Sequence, residues 1–406
     1  MYGLVLEGGG GRGAYQIGAC KAMQEMGIGF SGVAGTSVGA LNGAMIVQDE
    51  IDKAYELWYD IDPSKVVKFT EEETKEFSDP GLKGKNFNIK IKRLKKIIVE
   101  KGLDVEPLVE TVTSVIDENK IRSSGKDFGI VTFDLTNRKA LEIFIENIPR
   151  GKLVDYLIAS ASFPGFKLKV IDGRLFIDGG VYNSLPINLV RDKGYKDIIV
   201  VRTFALGRER KVDTEGLNLT YITPSENLGS MLDFGRERAR KNLKMGYYDA
   251  LRVFDKLMGN MYYIKPLKDK DFFVKYLMGL EEEKIRRISD IFGIEKRSGK
   301  RVLFEYIIPK IADLLGLPED ATYEDICIAL IENIARVSGI ERFKIYTFKE
   351  LFSEIADKYK PSKDEFVKEI PGFLRKMDLV SKIVKDQIIS SIAKELLNDV
   401  ISPIAQ

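Results

Sequence analysis

The sequence predicts an α/β protein whose N-terminal part is built on a parallel sheet and whose C-terminal part is all helical. Three observations carry this. The chain opens as strand, glycine loop, helix, strand, sharp turn and helix, the alternation that builds parallel sheets. Buried-strand patterns recur up to about residue 223, and beyond about Ser225 only amphipathic helical patterns remain, divided by glycines and prolines.

Taken in order, Tyr2 to Leu6 is a short apolar run expected to form a central strand. It runs into Glu7 and the loop Gly8-Gly9-Gly10-Gly11-Arg12-Gly13, then a helix from Ala14 to Met26 stopped by Gly27 and Gly29. Phe30 to Ala34 approaches a turn at Ser37, and the apolar run from Ala40 to Val47 reads as a buried helix. Ile51 to Asp60 continues as an amphipathic helix carrying the sole tryptophan, Trp58. The basic run from Lys83 to Lys101 alternates Lys90, Lys92, Arg93, Lys95 and Lys96 with isoleucine and leucine. It reads first as a solvated helix face with an apolar stripe inward, and second as a cap meeting an anionic lipid surface. Phe128 to Phe133 and Ala140 to Ile145 pair around Thr136-Asn137-Arg138, and a helix follows from Lys152 to Ala161. Lys167 to Ile171 and Arg174 to Ile177 flank Asp172-Gly173, a hairpin signal. Asp197 to Thr203 and Leu217 to Thr223 complete the strands, and Ser225 to Leu257 reads as one long helix capped by Ser225.

Composition narrows the chemistry. The 63 basic and 61 acidic residues nearly cancel, which argues against nucleic acid as a partner. There is no histidine, so a nucleophilic serine has no imidazole base, and zinc lacks its usual ligands. Cys20 and Cys327 make no disulfide framework, which points to a reducing compartment. The N-terminus lacks the features of a signal peptide, and no run of about 18 apolar residues spans a bilayer. A cytoplasmic protein, peripheral at the membrane if associated with it, is the expectation.

Gly35-Thr36-Ser37-Val38-Gly39 is the central motif. A strand turning sharply into a helix at a serine, with glycine two residues before and after, is a nucleophile elbow. Alone, the five residues read equally as a plain tight turn. The Gly8–Gly13 loop fits a loose dinucleotide pattern, but no Asp or Glu lies between Met26 and Gln48 to hold a ribose. A phosphate-binding Walker loop is also absent, since no Gly-Lys pair precedes Ser or Thr. What remains is a loop of bare N–H groups beside a helix N-terminus, able to hold an oxyanion. Asp178 ends a strand and precedes Gly179 and Gly180; it is a carboxylate close to backbone or, on the plainer reading, a turn residue. Asp172 reads more strongly as a turn residue, and Asp134 lacks the glycine pair.

Taken jointly, the Gly8–Gly13 loop, the Gly35–Gly39 elbow and Asp178-Gly179-Gly180 resemble the patatin-like phospholipases in order and spacing. Ala159 to Pro164 and Asn183 to Pro186 are also similar to stretches of bacterial members. The resemblance covers roughly residues 1 to 250. It implies a three-layer sheet with helices on both faces over residues 1–254, and it leaves 255–406 as a helical domain without assigned role. It further implies a Ser-Asp dyad acyl hydrolase with no cofactor and no metal. Ser37 would be the nucleophile, Asp178 its base, the N–H groups around Gly9, Gly10 and Gly11 the oxyanion hole, and Arg12 its support. Gly8, Gly13, Gly35, Gly39, Gly179 and Gly180 would shape the motifs. The substrate implied is a phospholipid or other acyl-ester lipid met in transient contact with membranes. Acyl transfer, general carboxylester cleavage and a lipid-binding regulatory role are the competing expectations.

Overall fold

A computed structural model describes residues 2–68, 103–167, 169–294, 299–358, 388–389, 391–393 and 395–396. The basic run from Lys83 to Lys101, with its expected lipid contact, lies outside the described residues. The chain divides into two compact units, Met1–Val253 and Phe254–Gln406.

The first unit is built on an eight-stranded mixed sheet. Strand β1 (Tyr2–Leu6) lies between β2 (Phe30–Thr36) and β7 (Asp197–Val201), both parallel to it, and β8 (Asn218–Ile222) extends that side. On the other side β2 runs parallel to β3 (Asp127–Asp134), while β4 (Lys139–Phe144), β5 (Lys169–Ile171) and β6 (Arg174–Asp178) are antiparallel additions. The hairpin turn at Asp172-Gly173 forms as expected, both residues taking positive φ.

Central strands that are covered on both faces are apolar through most of their length, and β1, β2 and β7 bury all but Tyr2, Ser31 and Asp197 respectively. One face carries Leu6, Val33 and Phe128, which meet helix α2 (Val38–Val47) at Gly43. The opposite face carries Val5, Ala34, Val131, Ile198 and Val200, which form one core with Leu189 and Val190 of α7 (Ile187–Asp192). Between these elements the chain forms α1 (Gly13–Glu25), α3 (Ile51–Tyr59), α4 (Glu106–Val115), α5 (Glu118–Ser123) and α6 (Leu153–Ser160).

Two expectations are corrected. The long helix from Ser225 is much shorter, because α8 spans only Arg236–Phe254. Gly229 takes φ 89°. Tertiary hydrogen bonds hold the preceding segment: Gly229 and Met231 carbonyls accept from Arg12 and from the Gly11 N–H. Ser225 caps nothing there; its N–H and hydroxyl donate to Asp249. The second unit is not purely helical either. Its helices share an isoleucine-rich core, including Ile285, Ile311, Ile331 and Leu351, with a two-stranded parallel pair, β9 (Tyr263–Ile264) and β10 (Ile345–Tyr346). No helix among the described residues is long and apolar enough to cross a membrane.

Helix α8 crosses α1 backbone to backbone. A Cβ on Gly246 would lie 1.9 Å from the Tyr15 carbonyl oxygen, and one on Gly18 2.0 Å from that of Leu243. Gly246→Ala therefore sets a helix-propensity gain of about 1 kcal/mol against overpacking onto unyielding backbone. Net destabilisation of about 2 kcal/mol is expected in urea unfolding.

Candidate active site

The elbow forms where β2 passes into α2. Ser37 takes φ 56° and ψ −127°, a conformation that costs a non-glycine residue about 1–3 kcal/mol. Glycine is obligatory on both sides of it. A Cβ on Gly35 would lie 2.2 Å from the Gly39 carbonyl oxygen, and one on Gly39 would lie 2.3 Å from that of Leu6. The Ser37 N–H donates to Ser160 Oγ at 2.9 Å, and the Ser160 hydroxyl donates to the Val131 carbonyl at 2.6 Å. The strained residue is thereby tied to α6 and β3.

Asp178 reaches Ser37 through an unusual register. Strand β3 pairs with β4 along one edge, so its other edge is shared by β2 and β6. Strand β2 uses it up to Val131, opposite Thr36. Strand β6 approaches from the opposite direction and ends with Asp178 opposite Thr132. The two strands meet head to head, and the residues at their tips are Ser37 and Asp178. Gly179 completes the junction, since a Cβ there would lie 2.2 Å from the Val131 carbonyl oxygen. The Asp178 N–H donates to the Ser162 carbonyl at 2.9 Å, and its Oδ1 accepts from the Gly180 N–H at 2.7 Å.

Both side chains are nearly inaccessible, Ser37 at 8% and Asp178 at 5% exposure. Burial pushes the Asp178 carboxyl up to about 6, while the Ser37 hydroxyl and the Gly180 N–H pull in the opposite direction. The other acids considered from sequence lie elsewhere. Asp134 closes a turn with Asn137 and pairs with Arg174, and Asp172 pairs with Lys152.

The glycine loop lies against the elbow, since a Cβ on Gly8 would lie 3.6 Å from that of Ser37. Its amides divide into two groups. Gly8 donates to the Ser184 carbonyl at 3.0 Å, Gly11 to that of Met231 at 2.7 Å and Arg12 to that of Gly9 at 3.2 Å. Among the described residues, the Gly9 and Gly10 amides have no protein acceptor. Gly11, grouped from sequence with the oxyanion donors, is instead an anchor because its N–H is spent. Arg12 points away from the cleft: its Nε donates to Gly229 at 2.9 Å and its Nη1 to Thr203 at 3.0 Å and Phe204 at 2.5 Å. Burial holds its guanidinium below the usual arginine range, with Glu7 partly compensating.

Sequence reasoning missed the brace behind this loop. Glu7 is fully buried and accepts N–H groups of Thr203 (2.7 Å), Phe204 (3.0 Å) and Ala205 (3.1 Å) while pairing with Arg202 at 2.9 Å. The Thr203 hydroxyl donates to the Gly8 carbonyl. An acid directly after a buried strand requires such partners, and that was the available signal. Met231 carried none.

Ser37 stands where two spaces join. One, about 130 Å³, is almost wholly apolar and is lined by Val38, Leu41, Met45, Trp58, Val112 and Phe163 among others. The other, about 570 Å³, is more polar and open, and contains Gly9, Asp178, Gly180, Ser184 and Arg208.

Residues 4–191 match the sequence model of the patatin-like phospholipase family. Patatin-like phospholipase domain-containing protein 7 of Mus musculus is 25% identical over 207 residues, 49% of this chain and 13% of that protein. Lysophospholipase NTE1 of Eremothecium gossypii is 25% identical over 283 residues, 66% of this chain and 16% of that protein. The chain therefore spans only a small part of the length of these curated relatives. Among solved structures, VipD from Legionella pneumophila aligns with a TM-score of 0.40 at 14% identity, covering 100% of this chain and 91% of that one.

The buried carboxylate makes a stability prediction. Between pH of about 4 and 6, the folded protein holds a proton on Asp178 that the unfolded chain releases, so this residue's contribution to stability falls as pH rises through that window. Asp178→Asn keeps an acceptor for Gly180 and removes the charge. It is expected to raise unfolding free energy at pH 8 by on the order of 1–3 kcal/mol and to leave it unchanged below about pH 4, as measured by chemical denaturation at each pH.

Proposed function

We propose, from the match of residues 4–191 to the patatin-like phospholipase family, that this chain is a serine acyl hydrolase cleaving carboxylic esters of phospholipids or lysophospholipids. The observation that carries the reading is the pairing of a strained, nearly buried Ser37 with a buried carboxylate of raised pKa at the junction of an apolar space and a polar one. The apolar space suits an acyl chain, and the open cleft suits the glycerol and head group. A relative whose name is lysophospholipase supports the substrate class.

In this mechanism Asp178 takes the Ser37 proton as Oγ attacks the ester carbonyl, and the Gly9 and Gly10 amides donate to the developing oxyanion. The proton then passes to the departing alkoxide as the ester C–O bond breaks, leaving the acyl group on Ser37. Water enters, gives a proton to Asp178 and hydrolyses the acyl-enzyme; Ser37 recovers its proton. An ordinary aspartate is a weak base for this task. Raising it from 3.8 to about 6 narrows the mismatch with serine by about 3 kcal/mol. The rest falls to oxyanion stabilisation and positioning, where one donor contributes on the order of 100-fold or more. Because the cleft is open, an alcohol could replace water, and acyl transfer is the second reading.

Ser37→Ala is expected to lower hydrolysis of lysophospholipid by at least about 1,000-fold, measured as fatty acid release, and to abolish labelling by a serine-directed fluorophosphonate. Equal activity in the two proteins would reject the serine mechanism. The pH profile of kcat/KM is expected to rise with unit slope and level off above about pH 6 as Asp178 ionises. With no histidine in the sequence, such a limb has few other sources. A limb near pH 4 would show that Asp178 keeps ordinary acidity and is not the base described.

A further inference from the structure

The outer rim of the polar cleft combines features that catalysis does not use. Val181, Phe204 and Leu206 expose apolar side chains at 43, 52 and 87%. Val181 and Leu206 line the same cleft as Ser37 and Asp178. Isolated exposed apolar residues are ordinary on protein surfaces. Val181 and Leu206 differ in sharing one opening, and Phe204, two residues before Leu206, differs in how it is held.

Their loop is stiffly supported. Phe204 takes φ 51°, which a bulky side chain seldom adopts, so a cost is borne to present it. Behind it, Glu7 accepts the N–H groups of Thr203, Phe204 and Ala205, and Arg12 donates to the Thr203 and Phe204 carbonyls. Arg202 packs over the Phe204 ring at 5.2 Å. A loop serving only as a connection needs no such bracing to hold apolar side chains in water.

Beside them the charge is basic. Glu209 is taken by Arg202 at 2.6 Å, and Arg210 pairs with Glu142 at 2.9 Å. Among the described residues Arg208 and Lys211 have no acidic partner, and Arg208 lines the cleft.

We propose that the Phe204–Lys211 loop, with Val181, is a docking surface for a phospholipid membrane. Phe204 and Leu206 enter the interface while Arg208 and Lys211 meet head-group phosphates, which sets the cleft mouth against the lipid. Apolar anchors flanked by cations are the combination that interfacial binding requires. The proposal rests on the acyl-ester reading above, because the surface opens onto Ser37, yet its test does not depend on turnover.

The test uses the full chain carrying Ser37→Ala, so that vesicles persist, in co-sedimentation with vesicles of phosphatidylcholine and phosphatidylglycerol. That protein is expected to bind. Adding Phe204→Ser with Leu206→Ser is expected to reduce partitioning by about tenfold or more, with a cooperative unfolding transition retained. Adding Arg208→Ala with Lys211→Ala instead is expected to remove the salt dependence and the preference for phosphatidylglycerol. Absence of binding, or binding indifferent to Phe204 and Leu206, overturns the proposal. So does a dimer in light scattering that the same substitutions dissociate without any vesicle association. Ester hydrolysis by the unsubstituted chain tests the catalytic reading separately. Hydrolysis without vesicle binding would overturn docking alone, and binding without hydrolysis would overturn the enzyme alone.

Discussion

The site depends on two strands competing for one edge. Strand β2 occupies the edge of β3 up to Val131, and β6 arrives on the same edge from the other direction, ending opposite Thr132. A parallel sheet alone would align all its strand ends at one level, and Asp178 would have no route to the elbow. The antiparallel insertion turns a chain distance of 141 residues between Ser37 and Asp178 into contact between two strand tips. The surrounding sequence answers this crowding: Gly35, Gly39 and Gly179 each stand where a Cβ would overlap a backbone carbonyl.

Burial does the second part of the work. A carboxylate shielded from water is a stronger base and a less stable anion, and both follow from one desolvation cost. Among the described residues no cation pairs with Asp178. The fold supplies one backbone N–H and one hydroxyl, enough to orient the group without restoring ordinary acidity. Glu7, directly after β1, shows the opposite treatment. Three N–H groups and the Arg202 guanidinium satisfy it, as befits a carboxylate that holds loops in place.

What could be read in the chain follows from how each constraint writes itself in residues. Close backbone approach demands glycine, so the elbow, the Gly8–Gly13 loop and Asp178-Gly179 were all visible. Buried strands on a doubly covered sheet leave runs such as Ile198 to Val201, and these were visible too. The head-to-head register was not, because register between distant strands has no local signature. The segment from Ser225 to Gly235 looked helical because its periodicity is compatible with a helix; Arg12 and Gly11, more than two hundred residues earlier, claim its carbonyls instead. Strands of two residues, such as Tyr263–Ile264, are too short to show a period of two. The Gly9 and Gly10 amides separate from that of Gly11 only once the Met231 carbonyl is in view.

The attachment of β6 has a further implication. Its ladder to β3 consists of three residue pairs, Thr132 to Asp134 against Asp178 to Phe176, and its outer neighbour β5 is also three residues long. Strand β2, by contrast, lies between β1 and β3 in the interior of the sheet. Ser37 and Asp178 therefore sit on parts of the sheet with different tolerance to fraying. As the protein is warmed, the β5–β6 hairpin is positioned to lift away while the turn at Ser37 stays intact, so that the meeting of Ser37 and Asp178 is lost through a local opening well before the sheet itself comes apart.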